Sequence, residues 1–106
     1  MPSERIIESD AFFSMLGIAM RAGQLTLGED GVRKAIASGK AAFVLLDAGA
    51  SANTTKMFTD SCAFYGVTLL KAQAGRLGHA IGKSGRMSAA VAAGPLADKL
   101  KLLAEA

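Results

Sequence analysis

The sequence predicts an α/β fold: a three-layer α/β/α sandwich around a central mixed, mostly parallel four-stranded sheet. Along the 106-residue chain, short apolar runs typical of strands alternate with segments whose apolar residues recur at helical spacing. One run, residues 41–46, is apolar without alternation, as expected of a strand that is covered on both faces in a parallel sheet. The predicted order of elements is therefore α-β-α-β-α-β-α-β-α.

The first helix is predicted over residues 10–22, because Ser9 is a suitable N-cap and Gly23 a suitable residue just past the C-terminus. Residues 1–8 lack periodicity and are predicted to be a loose N-terminal lead-in. No linker or internal repeat follows, so residues 9–106 are predicted to form a single domain.

A short strand over residues 25–27 runs into the second helix, which opens at Gly28 or Glu29 and ends at Gly39. After the apolar strand at 41–46, Asn53 or Thr54 is predicted to cap the third helix. The remaining predicted elements are the end of that helix at Gly66, a strand over 67–70, a short helix over 75–81, a strand over 88–92 and a last helix opened by Gly94-Pro95.

Composition restricts the class of protein. The net charge of +3 and the isoelectric point near 9.3 permit a polyanionic partner without establishing one. The single cysteine, Cys62, excludes an internal disulfide and favours a reducing compartment. No secretory signal is visible, and the apolar run over 11–20 is too short to span a bilayer, so we expect a cytoplasmic protein without a membrane partner.

The sequence has no pattern typical of an enzyme. The segment 78–84 resembles a phosphate-binding loop, but Leu77 occupies the place of its first glycine, and the segment ends a helix instead of following a strand. His79 has no second histidine or nucleophile pattern to work with, Cys62 lies on an apolar helix stripe, and the carboxylates are scattered. We therefore predict no catalytic residue, no metal and no cofactor.

Two glycine-flanked basic segments are candidate binding surfaces. The start of the second helix carries Glu29, Asp30, Arg33 and Lys34 after Gly28, and the loop over 82–88 offers two cations and two hydroxyls. Each segment also has an ordinary explanation: acidic residues complement the helix dipole, and a charged glycine-rich loop is often a solvated turn.

The sequence resembles the kink-turn-binding ribosomal protein superfamily, which includes the archaeal and eukaryotic L-seven-Ae and L-thirty-e proteins. The resemblance covers about residues 10–103. Segments 28–36 and 77–83 carry it, and segments 16–23 and 53–56 bring the chain closest to the bacterial YlxQ-type members.

The resemblance implies an α/β/α fold that binds RNA with a sharp kink flanked by tandem sheared G·A pairs. By position, Gly28 matches the family glycine that permits close backbone approach, and Lys34 matches its phosphate-facing lysine. The loop before the last strand matches the second contact surface.

Two positions depart from the family pattern. Asp30 stands where the archaeal proteins have asparagine, and Gly31 stands where they have glutamate. An ionised aspartate only accepts hydrogen bonds, and it also repels phosphate. Gly31 removes a guanine-reading carboxylate unless Glu29 replaces it, so general RNA binding is better supported than kink-turn specificity.

We therefore expect a non-enzymatic protein that binds structured RNA, either kink-turn-like or ribosomal, with other ribosome-associated proteins as candidate partners. The expected RNA contacts are Gly28, Glu29, Asp30, Arg33, Lys34, Lys83, Ser84, Arg86, Met87 and Ser88. Two alternatives remain open: a protein–protein interaction module on the same fold, and, with less support, a small-molecule or nucleotide binder at the strand ends.

Overall fold

The computed structural model of the chain describes residues 5–105, in which strands and helices alternate. The elements are β1 (Ile6–Ile7), α1 (Asp10–Arg21), β2 (Leu25–Leu27), α2 (Glu29–Ala37), β3 (Ala41–Asp47), α3 (Ala52–Tyr65), β4 (Thr68–Ala72), α4 (Arg76–Ile81), β5 (Ser88–Ala92) and α5 (Pro95–Glu105).

The strands form one mixed sheet in the order β1-β4-β3-β5-β2. The β1–β4 and β3–β4 pairs are parallel, whereas β3–β5 and β2–β5 are antiparallel. The predicted α/β class is confirmed, but the predicted strand count of four is wrong, because the sheet has five strands. It is also evenly mixed between parallel and antiparallel pairs instead of mostly parallel.

The additional strand, β1, lies in the segment predicted to be a loose lead-in. Ile6 and Ile7 pair with Lys71 and Ala72, and the N–H of Gln73 donates to the carbonyl of Ile7 at 2.9 Å. Two residues are too few for a periodic pattern, so only pairing with β4 defines this strand. Residues 1–4 of the predicted lead-in lie outside the described residues.

Hydrogen bonds at the ends of helices and strands explain which predicted boundaries are correct and which are wrong. The Ser9 hydroxyl accepts from the N–H of Phe12 at 3.3 Å, which confirms the predicted cap of α1. Helix α3 is instead capped by Ser51, whose hydroxyl accepts from the N–H of Thr54 at 3.2 Å. Strand β4 begins at Thr68 because the N–H of Val67 still donates to Cys62 at the end of α3.

The hydrophobic core lies on both faces of the sheet, as a three-layer sandwich requires. Phe43 and Leu45 of β3 face the cluster formed with α1, α4 and α5, whereas Val44 and Leu46 face the cluster formed with α2 and α3. The prediction that this strand is covered on both faces is therefore confirmed. Within residues 5–105, no helix is long and apolar enough to cross a membrane.

Candidate nucleic-acid interface

The directions of the strands bring the two predicted segments to the same end of the sheet. Strand β2 ends where α2 begins, and its last residue, Leu27, is paired with Ala89 near the start of antiparallel β5. The loop over 82–88 precedes β5, so it lies beside the start of α2 at this end.

A small cavity of about 190 Å³ joins the two segments. It is lined by residues from the start of α2, from the loop and from the first turns of α3, namely Gly28, Glu29, Thr54, Phe58, Gly85, Arg86, Met87 and Ser88. Five of the ten predicted contact residues are therefore brought together around one cavity.

The start of α2 presents backbone donors at this end of the sheet. Gly28 is the N-cap, its φ of +87° is one that side chains rarely adopt, and it makes no side-chain cap hydrogen bond. The first hydrogen bond of the helix runs from the N–H of Val32 to the carbonyl of Gly28, at 2.9 Å. The N–H groups of the three residues before it have no partner within the helix.

Arg86 lies next to this helix start. A Cβ atom added to Gly28 would lie 3.8 Å from Nη1 of Arg86, at ordinary contact distance. The guanidinium group therefore lies beside the same N-terminus that carries the partial positive charge of the helix.

The other predicted contact residues lie outside the cavity lining. Asp30, Arg33 and Lys34 are exposed on α2, and Lys83 and Ser84 are exposed in the loop. Ser88 differs from the rest of the set, because it begins β5 and is only 6% exposed.

Asp47 holds this end of the sheet together, and the sequence analysis did not select it. The residue is only 2% exposed, and its two carboxylate oxygens accept from the N–H groups of Gly49 at 2.8 Å and Gly75 at 2.9 Å. Its own N–H donates to the carbonyl of Met87 at 2.8 Å. A charged residue at the end of an apolar strand, followed two positions later by glycine, was the available signal.

Gly78 of α4 is in direct contact with the loop over 82–88. A Cβ atom at this position would lie 3.0 Å from the carbonyl oxygen of Lys83 and 3.2 Å from Cα of Ser84. The loop therefore packs directly on the backbone of α4, which accepts a hydrogen bond from the N–H of Lys83 at 3.0 Å. Only glycine permits that approach without displacing the loop.

Gly31 also has a packing role. A Cβ atom at this position would lie 3.0 Å from Cγ2 of Thr26, which is closer than side chains normally pack. The first turn of α2 thus lies close against β2. Gly31, which departs from the family pattern, therefore leaves room for the methyl group of Thr26.

Thr54 and Phe58 were not predicted as site residues. Thr54 belongs to the segment 53–56 that carries part of the family resemblance, and Phe58 lies one turn before Cys62 on the apolar stripe of α3. Both residues nevertheless line the cavity. Proximity between α3 and the loop depends on the tertiary structure and leaves no local pattern in the sequence.

Cys62 and His79, the two residues considered for catalysis or metal binding, lie outside the cavity lining. Cys62 is 2% exposed, and burial raises the pKa of its thiol from 9.0 to about 11, which makes it a poor nucleophile near neutral pH. His79 is exposed on α4. Among residues 5–105 there is no group of three or more histidine, cysteine, aspartate or glutamate side chains that could hold a metal ion.

The fold and this end of the sheet define a small α/β protein with a basic loop beside an open helix N-terminus. The model of the ribosomal protein L7Ae/L30e/S12e/Gadd45 family matches residues 10–102, and the chain belongs to this family. The predicted resemblance is thereby confirmed.

Individual relatives agree with this assignment. The RNA-binding protein YlxQ of Bacillus subtilis (strain 168) is 42% identical over 90 residues, which cover 84% of this chain and 90% of that protein. A protein of unknown function from Bacillus halodurans C superimposes with a TM-score of 0.85 at 33% identity, covering 92% of this chain and all of the other. The Giardia lamblia 15.5kD RNA binding protein has the same fold, with a TM-score of 0.77 at 16% identity over 93% of this chain and 89% of that one.

Proposed function

We propose that this protein binds structured RNA, without catalysing a reaction, through one domain spanning residues 9–106. The RNA would lie across the start of α2 and the loop over 82–88. The observation that carries the proposal is the cavity shared by Gly28 and Glu29 with Gly85, Arg86, Met87 and Ser88. The 42% identical relative named as an RNA-binding protein supports the same conclusion.

The charges of this surface suit a phosphate backbone. Arg33, Lys34, Lys83 and Arg86 are exposed, and together they outnumber the two exposed carboxylates of Glu29 and Asp30. The N–H groups at the start of α2 that have no partner within the helix are also suitable donors to a phosphate oxygen. Contacts of this kind orient the RNA without reading its sequence.

The cavity offers the second component of recognition. Met87 provides apolar surface at its wall, and Thr54 and Glu29 provide polar groups. An unstacked base is recognised by this combination of stacking surface and hydrogen bonds to its edge. Selectivity for kinked RNA would depend on such a base and on Asp30.

The test is a salt-dependent titration with two RNAs, one kinked with tandem sheared G·A pairs and one plain duplex. The double variant Lys34→Ala/Arg86→Ala should bind the kinked RNA roughly tenfold more weakly at about 0.1 M salt, with the slope of log affinity against log salt reduced by about 1.5. Both changes follow from the loss of two phosphate contacts.

The matched control is Lys40→Ala/Lys99→Ala, which removes the same charge from exposed lysines before β3 and on α5. If the control weakened binding as much as the test variant, net charge and not this surface would be responsible. Equally weak binding of both RNAs by the unmodified protein would favour the alternative, a protein–protein interaction module.

The biological target would be ribosomal RNA or another folded RNA in the cytoplasm, with ribosome-associated proteins nearby. The family's description names ribosomal proteins, and the single buried cysteine suits a reducing compartment. Cosedimentation of the protein with ribosomal subunits, lost in Lys34→Ala/Arg86→Ala, would test this assignment.

A further inference from the structure

The sulfur atoms of the chain differ in their accessibility. The sequence has five methionines, of which Met1 lies outside the described residues. Met15 and Met20 pack against the hydrophobic cluster on one face of the sheet, and Met57 packs against the cluster on the other face. Met87 belongs to neither cluster and is 37% exposed. Among the methionines that the structure describes, Met87 therefore has the most accessible thioether.

The single cysteine does not compete with Met87 for an oxidant. Cys62 is buried on α3, and its thiol stays protonated near neutral pH because burial raises its pKa to about 11. Oxidants attack the exposed thiolate form of cysteine, which this residue does not offer. The first sulfur that a peroxide meets on residues 5–105 is therefore that of Met87.

Met87 combines an exposed side chain with a fixed backbone. Its side chain lines the cavity at the candidate RNA surface, beside Arg86. Its carbonyl accepts from the N–H of Asp47 at 2.8 Å, and the next residue, Ser88, is paired with Leu46 of β3. A chemical change at the sulfur would therefore alter the wall of the cavity while β3 keeps the main chain of the loop in place.

We propose that Met87 is a reversible oxidation site through which a hydroperoxide weakens RNA binding; this inference rests on the proposed function. The sulfur gives two electrons to the peroxide, whose O–O bond breaks as an S=O bond forms, and hydrogen peroxide then leaves as water. In the reverse reaction a dithiol gives two electrons, becomes a disulfide, and the oxygen leaves as water.

Oxidation changes the contact that the cavity offers to an unstacked base. The thioether is apolar and polarizable and packs well on an aromatic ring, whereas the sulfoxide is polar and carries an oxygen that must be hydrated or hydrogen-bonded. The charges of Lys34 and Arg86 are unaffected. The affinity for RNA should therefore fall while its dependence on salt stays the same, because no phosphate contact is lost.

The test treats the full chain with hydrogen peroxide, removes the peroxide, and titrates the kinked RNA over a salt series. Peptide mapping by mass spectrometry should show Met87 oxidised at least about fivefold faster than Met15, Met20 and Met57. The affinity for the kinked RNA should fall at least about fivefold with an unchanged salt slope. A methionine sulfoxide reductase supplied with a dithiol should restore the affinity.

Two leucine variants separate Met87 from the other methionines. Met87→Leu has no thioether at the cavity, so its affinities before and after peroxide should agree within roughly twofold, whatever the first value is. Met57→Leu is the matched control, because Met57 packs against the core and does not line the cavity. Met57→Leu keeps Met87 and should lose as much affinity on oxidation as the unmodified protein.

Several results would overturn this inference and leave the proposed function standing. They are faster oxidation of the core methionines, oxidation of Met87 without a change in RNA affinity, an equal loss of affinity in Met87→Leu, and a loss that accompanies a lower midpoint of urea unfolding. Failure of the untreated protein to bind either RNA would instead overturn the proposed function, and this inference with it.

Discussion

The backbone N–H of Asp47 donates a 2.8 Å hydrogen bond to the carbonyl of Met87, which ties the end of β3 to the loop before β5. The carboxylate of the same residue accepts from Gly49 and from Gly75, so its side chain and its backbone N–H together join three loops at the candidate interface. The position of the basic loop thus depends on a residue that does not itself line the cavity.

The first prediction concerns Asp47. Asp47→Asn keeps the size of the side chain but replaces one acceptor with an amide group that cannot accept from an N–H. We expect the free energy of unfolding to fall by about 2 kcal/mol, as measured by urea denaturation, since a partly buried N–H loses its charged acceptor. Asp98→Asn on the exposed face of α5 is the control and should change stability by less than about 0.5 kcal/mol. An equal loss in both variants would contradict the role given to Asp47.

The second prediction concerns the contact between Gly31 and Thr26. Alanine in a helix is normally about 1 kcal/mol more favourable than glycine, but a Cβ atom at residue 31 would crowd Cγ2 of Thr26. Gly31→Ala should therefore give little or no stabilisation alone, and about 1 kcal/mol in the background of Thr26→Ser, which removes that methyl group. Additive effects in the double-mutant cycle would show that the two residues do not interact.

The third prediction concerns selectivity for kinked RNA. Asp30→Asn removes a negative charge at the start of α2 and adds a donor, so it should tighten binding to the kinked RNA by at least about tenfold more than binding to the duplex. Asp98→Asn removes a charge from the exposed face of α5, outside the cavity lining, and serves as control, with an expected small gain on both RNAs. If Asp30→Asn improved both RNAs equally, its effect would be general electrostatics and Asp30 would have no part in selectivity.

The fourth prediction is a loss of stability at alkaline pH. Burial raises the pKa of Cys62 to about 11, so between about pH 9 and 11 the unfolded thiol ionises while the folded one stays protonated. The unfolded state then binds fewer protons, and the free energy of unfolding falls as pH rises, by about 2 kcal/mol in total.

The measurement for Cys62 compares the unmodified protein with Cys62→Ser at pH 8 and at pH 10.5. Subtracting the two proteins cancels the titration of tyrosine and lysine, which they share. The stability difference between them should shrink toward the higher pH by roughly 2 kcal/mol. A difference independent of pH would mean that the thiol titrates normally in the folded protein.

Local patterns in the sequence account for most of the secondary structure. Helical spacing with Ser9 and Gly23 at its ends predicts α1 closely, and the unbroken apolar run predicts β3 with both faces covered. These features depend on hydrogen bonds and side-chain spacing within a few residues, which a sequence displays directly. The sequence missed β1 because two residues form no periodic pattern. It misplaced the cap of α3 because Ser51, Asn53 and Thr54 are all residue types that cap helices.

The sequence by itself determined that the start of α2 and the loop over 82–88 are candidate binding surfaces, because both are basic and flanked by glycines. The family resemblance then assigned both segments to RNA binding. Only the tertiary structure decided that Arg86 lies against Gly28, that Thr54 and Phe58 close the cavity, and that Asp47 and Gly78 hold the loop. These contacts join residues far apart in the chain, and they exist because β5 begins at the end of the sheet where β2 ends and α2 begins.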